Sequence, residues 1–194
     1  VKLPTHKESG RILDFDIENM PLTYYAPDYP TAFVTAIAWA FTDTPKKIEA
    51  RVIEDIRDND AYDNMLFDFL EAYEEADLVT GHYIRKHDLP ILNGALLERG
   101  FIGGLRQMLV SDTKEDLVRY SALPKNQEFL EAVMGTSQQK VQMTQADWRA
   151  ANRFQPEGIA AARKRVTSDV RGNMQMRAEL IDRGLLKAPR LWRP

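Results

Sequence analysis

The sequence predicts a mixed α/β sheet covered by helices, and three observations carry that prediction. Residues 11–18 alternate between apolar and polar side chains, the period of a strand with one buried face. Two further β-rich runs follow, so the chain opens as a three-strand meander. After them, segments of helical apolar spacing alternate with short apolar runs, giving the order β-β-β-α-β-α-β followed by helices. The 194 residues are 44% hydrophobic and 28% charged, an ordinary composition for one compact domain over residues 1–194.

In Arg11–Glu18, Leu13, Phe15 and Ile17 share one face, and Asp14, Asp16 and Glu18 share the other. Ala32–Phe41 and Ile48–Ile53 are the next two strands, separated by the turn signal Asp43-Thr44-Pro45. From Asp60 to Glu75, Met65, Leu66, Phe69, Leu70 and Tyr73 fall at helical spacing, and Asp77–Gly81 resumes a short strand. Asp88-Leu89-Pro90 starts a helix with an acidic cap and a first-turn proline, and Gly100 stops it. Met108–Val110 is a buried strand leading to Ser111-Asp112, a cap for a helical run over Lys114–Arg119. A helix over Asn126–Met134 ends at Gly135, and Thr136–Arg153 reads as mixed loop and short helix. Pro156 opens the last long helix, in which Ile159, Ala162, Val166, Val170, Asn173, Arg177 and Ile181 trace one face before Gly184.

With no cysteine, neither a disulfide framework nor a thiolate zinc site is available, which favours a reducing, cytoplasmic setting. His82 and His87 are five residues apart with no third His or Cys nearby, a poor spacing for tetrahedral zinc. Val1–Lys7 lacks an apolar h-region and no run of roughly 18 apolar residues occurs, so neither export nor membrane insertion is expected. The net charge of −3 is unevenly spread: residues 149–194 carry eleven Lys or Arg against four acids, a net +7, leaving −10 elsewhere. The basic C-terminal arm is a candidate phosphate-contacting surface, or else a solvated helix face.

The candidate chemistry lies in carboxylates. Asp16 and Glu18 sit two apart on a strand, so both point to the same side of the sheet, where like charges repel. A divalent cation with oxygen ligands would favour both ionised forms; solvated acids at a strand edge are the alternative, and Asp14 on the same face is a rival partner. Asp88 follows the loop that begins at Gly81-His82 and stands at a helix start, where it could simply cap. Asp169 lies near the apolar line of the last helix, an awkward place for an unpaired carboxylate, with Arg165 one turn back as a salt-bridge partner.

These residues carry a resemblance. Ile12-Leu13-Asp14-Phe15-Asp16-Ile17-Glu18 resembles the first motif of the DEDD, or proofreading-type, 3′-5′ exonuclease superfamily. Gly81-His82 through Asp88-Leu89-Pro90-Ile91-Leu92 is similar to its second motif, and Asp169-Val170 with Leu180 and Arg183-Gly184 resembles the third. The tail Arg183-Gly184-Leu185-Leu186 and the chain's size resemble compact phage-encoded members. The resemblance implies an RNase H-like fold, Asp16, Glu18, Asp88 and Asp169 as metal ligands, and two Mg²⁺ or Mn²⁺ ions about 4 Å apart. It further implies release of nucleoside 5′-monophosphates from a single-stranded 3′ end, DNA ahead of RNA, and a separate DNA polymerase as a partner. Tyr24, Tyr25 or Tyr83 could stack on terminal bases, and Lys140 is a candidate phosphate contact.

The sequence departs from the family at instructive places. Tyr83 replaces the Asn after Gly-His, and His87 replaces the Phe before the second Asp. Where the family keeps a His or Tyr base, five or four residues before its last Asp, this chain has Lys164 and Arg165. No Tyr or His occurs from Ser121 to Pro194. Arg165, one helical turn before Asp169, is expected beside that carboxylate, where it cannot act as a base but can bind phosphate. Lys164 is rotated away, and a role as base would require a strongly lowered pKa. Two other classes fit the same residues: an inactive RNase H-like module that binds nucleic acid or a polymerase, and a structural α/β protein whose acids are caps and salt bridges.

Overall fold

Strand β1 (Ile12–Pro21) forms where the alternation is cleanest and lies inside a six-stranded sheet of order β3-β2-β1-β4-β5-β6. In the computed structural model, residues 10–21, 32–118, 122–137 and 141–194 are described. β2 (Ala32–Phe41) and β3 (Glu49–Val52) complete an antiparallel meander. β4 (Leu78–Gly81) and β5 (Met108–Asp112) add in parallel on the other side of β1, and β6 (Arg190–Trp192) pairs antiparallel to β5. A central strand flanked by an antiparallel meander and parallel strands, with helices on both faces, is the RNase H-like arrangement.

The alternation of β1 decides what covers each face. Leu13, Phe15 and Ile17 face α1 (Asn59–Glu74) and α2 (Asp88–Glu98), whose Leu66, Phe69, Leu89 and Leu92 join them in the main core. The other face is covered by α5 (Pro156–Asp182), and β2 makes that approach possible. Ala36, Ala38 and Ala40 stand opposite Glu18, Asp16 and Asp14 in register, and these small residues pack against Val166 and Val170. α3 (Gln127–Met134) and α4 (Gln145–Asn152) brace α5 on either side. Among the described residues no helix is long and apolar enough to cross a membrane.

Two expectations are corrected. Lys114 onward does not form a helix: turns follow β5, and Leu117 instead makes an isolated bridge to Leu186. Asp112 does accept from the Lys114 and Glu115 N–H groups, as a cap would, but it also accepts from the Tyr83 and Arg85 N–H groups. Asp116, fully buried, then receives Arg85 and Arg190 and fixes the chain in a turn. Arg119 lies outside the described residues. The second correction is β6, which the sequence reading left unassigned; three residues are too few to display a period, and Arg190 enters the sheet beside Val110 through Asp116.

Candidate active site

Asp16 and Glu18 project from β1 toward α5, as their shared parity requires. A register shift between Glu18 and Asn19 marks where β1 departs from regular pairing beside the site. On α5, Asp169 is 2% exposed and turned to the sheet. Asp16, Glu18 and Asp169 can each present one carboxylate oxygen such that all three lie within 4.8 Å of one another. Asp88 lines the same cleft, of about 450 Å³, from the start of α2. It does not cap its helix: the cap position is His87, and the Asp88 Oδ1 accepts from the Ile17 N–H of β1 at 3.2 Å. Thus the four carboxylates come together from three elements far apart in sequence.

Asp14, the rival partner, is separated from them by depth. It is fully buried beneath α5, where the Asn173 side-chain amide donates to its Oδ2 at 2.7 Å and Oδ1 has no partner among the described residues. Burial holds its carboxyl well above the usual carboxylate range, although Asn173 and Arg177 pull it down. Asp88 is raised by the same cause, opposed mainly by its hydrogen bond from His87. The His87 imidazole is raised in turn, chiefly by that hydrogen bond.

Arg165 sits among the carboxylates. Its Nε donates to Glu18 Oε1 at 2.7 Å, one Nη lies 3.9 Å from Asp169 Oδ2, and the other donates to the Val141 carbonyl at 2.9 Å. The Trp148 ring lies 5.3 Å from the guanidinium carbon. Lys164, by contrast, is exposed and lines a different depression along α5. The structure therefore brings Asp16, Glu18, Asp88, Asp169 and Arg165 to one cleft and leaves Lys164 outside it.

The opposite wall is the loop before α2. Tyr83 has φ 72°, a left-handed conformation costly for a large side chain but easier for the Asn that the resembling family keeps there. Asp112 compensates by accepting the Tyr83 N–H, and the Lys114 ammonium lies 3.6 Å from the Tyr83 ring centre. His82 is held at both ring nitrogens, 3.0 Å from Thr113 Oγ1 and from the Lys125 carbonyl; the latter contact requires Nε2 to carry a proton. Sequence reasoning missed Asp112 as the organiser of this loop, and also Lys114, Lys125 and Gln142 on the cleft wall. Their only available signal, charge or polarity in a loop, is shared with most surface residues. Tyr24, Tyr25 and Lys140 lie outside the described residues.

No protein-family model matches the sequence, and no curated protein matches it. Among solved structures, the chain is similar to the family B DNA polymerase from the hyperthermophilic archaeon Pyrobaculum calidifontis, with a TM-score of 0.61 and 18% identity. The match covers 90% of this chain and 25% of that one, so the chain spans about a quarter of the polymerase's length. At that identity the likeness concerns the fold.

Proposed function

We propose that this chain is a metal-dependent 3′-5′ exonuclease that removes nucleoside 5′-monophosphates from single-stranded DNA ends, with residues 1–194 acting as one nuclease domain. The observation that carries the proposal is the meeting of Asp16, Glu18, Asp88 and Asp169 in one cleft. Independent helix caps and surface ion pairs have no physical reason to converge. The donor set is all oxygen, which suits Mg²⁺ or Mn²⁺. Asp16, Glu18 and Asp169 would hold one ion between them, with Asp88 contributing to the second from the facing wall. Such cations supply an activated water and offset charge on the leaving oxygen. Arg165 would leave Glu18 to clamp the scissile phosphate, since its fork matches a phosphate as well as a carboxylate. Tyr83, on the other wall, would stack on a terminal base. The fold likeness to a DNA polymerase agrees with DNA as substrate and with service to a separate polymerase.

One observation favours a second reading. The Arg165 guanidinium already neutralises Glu18 and approaches Asp169, so it can stand in for a cation in an inactive nucleic-acid-binding module. Incubating the protein with 3′- and 5′-labelled single-stranded DNA and RNA, in Mn²⁺, Mg²⁺ or EDTA, tests both. The expected result is metal-dependent release of mononucleotide from the 3′ end, abolished by Asp16→Ala. Binding of the labelled strands without turnover would select the inactive module, and absence of both binding and turnover would remove the two readings together.

A further inference from the structure

The long helix α5 separates two concavities of opposite charge. Arg165 and Asp169 face the acidic cleft, whereas Arg163, Lys164 and Arg171 line a depression of about 680 Å³ floored by Val141, Phe154 and Ile159. Arg163 is committed to the sheet, donating to the Ala50 carbonyl at 3.0 Å and lying 3.8 Å from Glu54. Lys164 and Arg171 are exposed and have no hydrogen bond or ion pair among the described residues. Seven residues apart on a helix, they stand on one face, about 10.5 Å apart along the axis. The two concavities adjoin at Arg165. Val141 and Ser168 border the basic one, the Val141 carbonyl accepts from Arg165, and the Ser168 hydroxyl donates to the Arg165 carbonyl at 2.8 Å.

We propose that this depression binds the phosphodiester backbone of single-stranded nucleic acid a few nucleotides from the end held in the acidic cleft. Lys164 and Arg171 pair with phosphates, and the apolar floor contacts sugars and bases. Charge complementarity and the position beside the cleft, across Arg165, select this occupant. The polarity of the bound strand rests on the exonuclease reading; the binding itself does not.

The test is the full chain with Lys164→Gln and Arg171→Gln combined, its fold checked by circular dichroism. Binding of a labelled oligothymidylate of about 15 nucleotides is measured in EDTA against salt, and hydrolysis of the p-nitrophenyl ester of thymidine 5′-monophosphate is measured in Mn²⁺. The ester is too short to reach the depression. The expected result is at least about tenfold weaker oligonucleotide binding, with a salt slope reduced by about 1.4 for two lost phosphate contacts. Ester hydrolysis should be unchanged. Unaltered affinity and slope would overturn the proposal, as would parallel loss of binding and ester hydrolysis. Competition by polyglutamate as effective as by unlabelled oligonucleotide would assign the depression to an acidic peptide and overturn it too. A parent that cleaves no ester yet shows the slope change would support the depression while removing the exonuclease reading.

Discussion

At the scale of single residues, three acids two apart on one strand face have different fates, and depth separates them. Asp14 lies under α5 with its carboxyl held above the usual range by burial, while Asp16 and Glu18 reach the cleft. In the unfolded chain Asp14 ionises near its ordinary 3.8. Its folded-state value is higher, so the folded protein keeps a proton that the unfolded chain releases. Its contribution to stability is therefore full below about pH 4 and falls as pH rises toward the folded value. Asp14→Asn should flatten that decline, leaving the same-signed contribution of Asp88; urea denaturation from pH 4 to pH 8 measures it, and an unchanged slope would contradict it. Arg165 supports a second prediction. Arg165→Ala removes a competitor for Glu18, so Mn²⁺ should bind more tightly by calorimetry, while single-turnover cleavage falls about 100-fold or more through loss of the phosphate clamp. Tighter Mn²⁺ binding with undiminished cleavage would show that Arg165 only neutralises.

At the scale of elements, the packing of α4 on α5 depends on the lack of a side chain at Gly158. A Cβ there would overlap the backbone of Ala150 and Ala151. Because backbone cannot rotate aside, Gly158→Ala should cost about 1–3 kcal/mol or more and separate α4, with Trp148, from Arg165. Gly94, on the exposed side of α2, meets nothing within 4 Å, so Gly94→Ala should stabilise by about 0.5–1 kcal/mol. Thermal melts of the pair check the contrast, and equal effects would refute it. Where a helix boundary was legible its signal was local, as with Gly135 after α3 and Pro156 at the start of α5; the Thr144–Asp147 capping box of α4 is as local but lay in a polar stretch read only as mixed loop and short helix. The segment after Asp112 was not legible, since Arg85 and Arg190 reach it from 31 and 74 residues away and outweigh a local cap.

At the scale of the whole molecule, the basic arm is less free than its sequence implies. Arg165, Arg177, Arg183 and Arg190 are engaged with Glu18, Ser111, Glu179 and Asp116, and Arg163 with the sheet. Of the basic residues that remain, Lys164 and Arg171 stand together at the outer depression of α5, while the carboxylates meet at the inner cleft. Cation binding to the inner side should stabilise the fold: at about 100 times the dissociation constant, Mn²⁺ should add about 2.7 kcal/mol. Asp16→Ala should lose most of that increment while its melting temperature in EDTA is unchanged or raised, because a repelling charge has gone. Melting curves with and without Mn²⁺ decide it, and an equal increment in the variant would exclude Asp16 as a ligand.

The sequence by itself determined the fold class, the element order from β1 to β5 and the parity that puts Asp16 and Glu18 on one face, because dihedral preferences, caps and the periods of strand and helix act over a few residues. It also determined that Arg165 shares a helix face with Asp169. Only the tertiary structure decided that Asp88 spans to β1 instead of capping α2, that Asp14 is buried away from the cleft, and that Lys164 faces a second concavity. Those outcomes depend on how closely α5 approaches the sheet, which the alanines of β2 permit, and on partners distant along the chain. Distance and burial are properties of packing, and no local pattern encodes them.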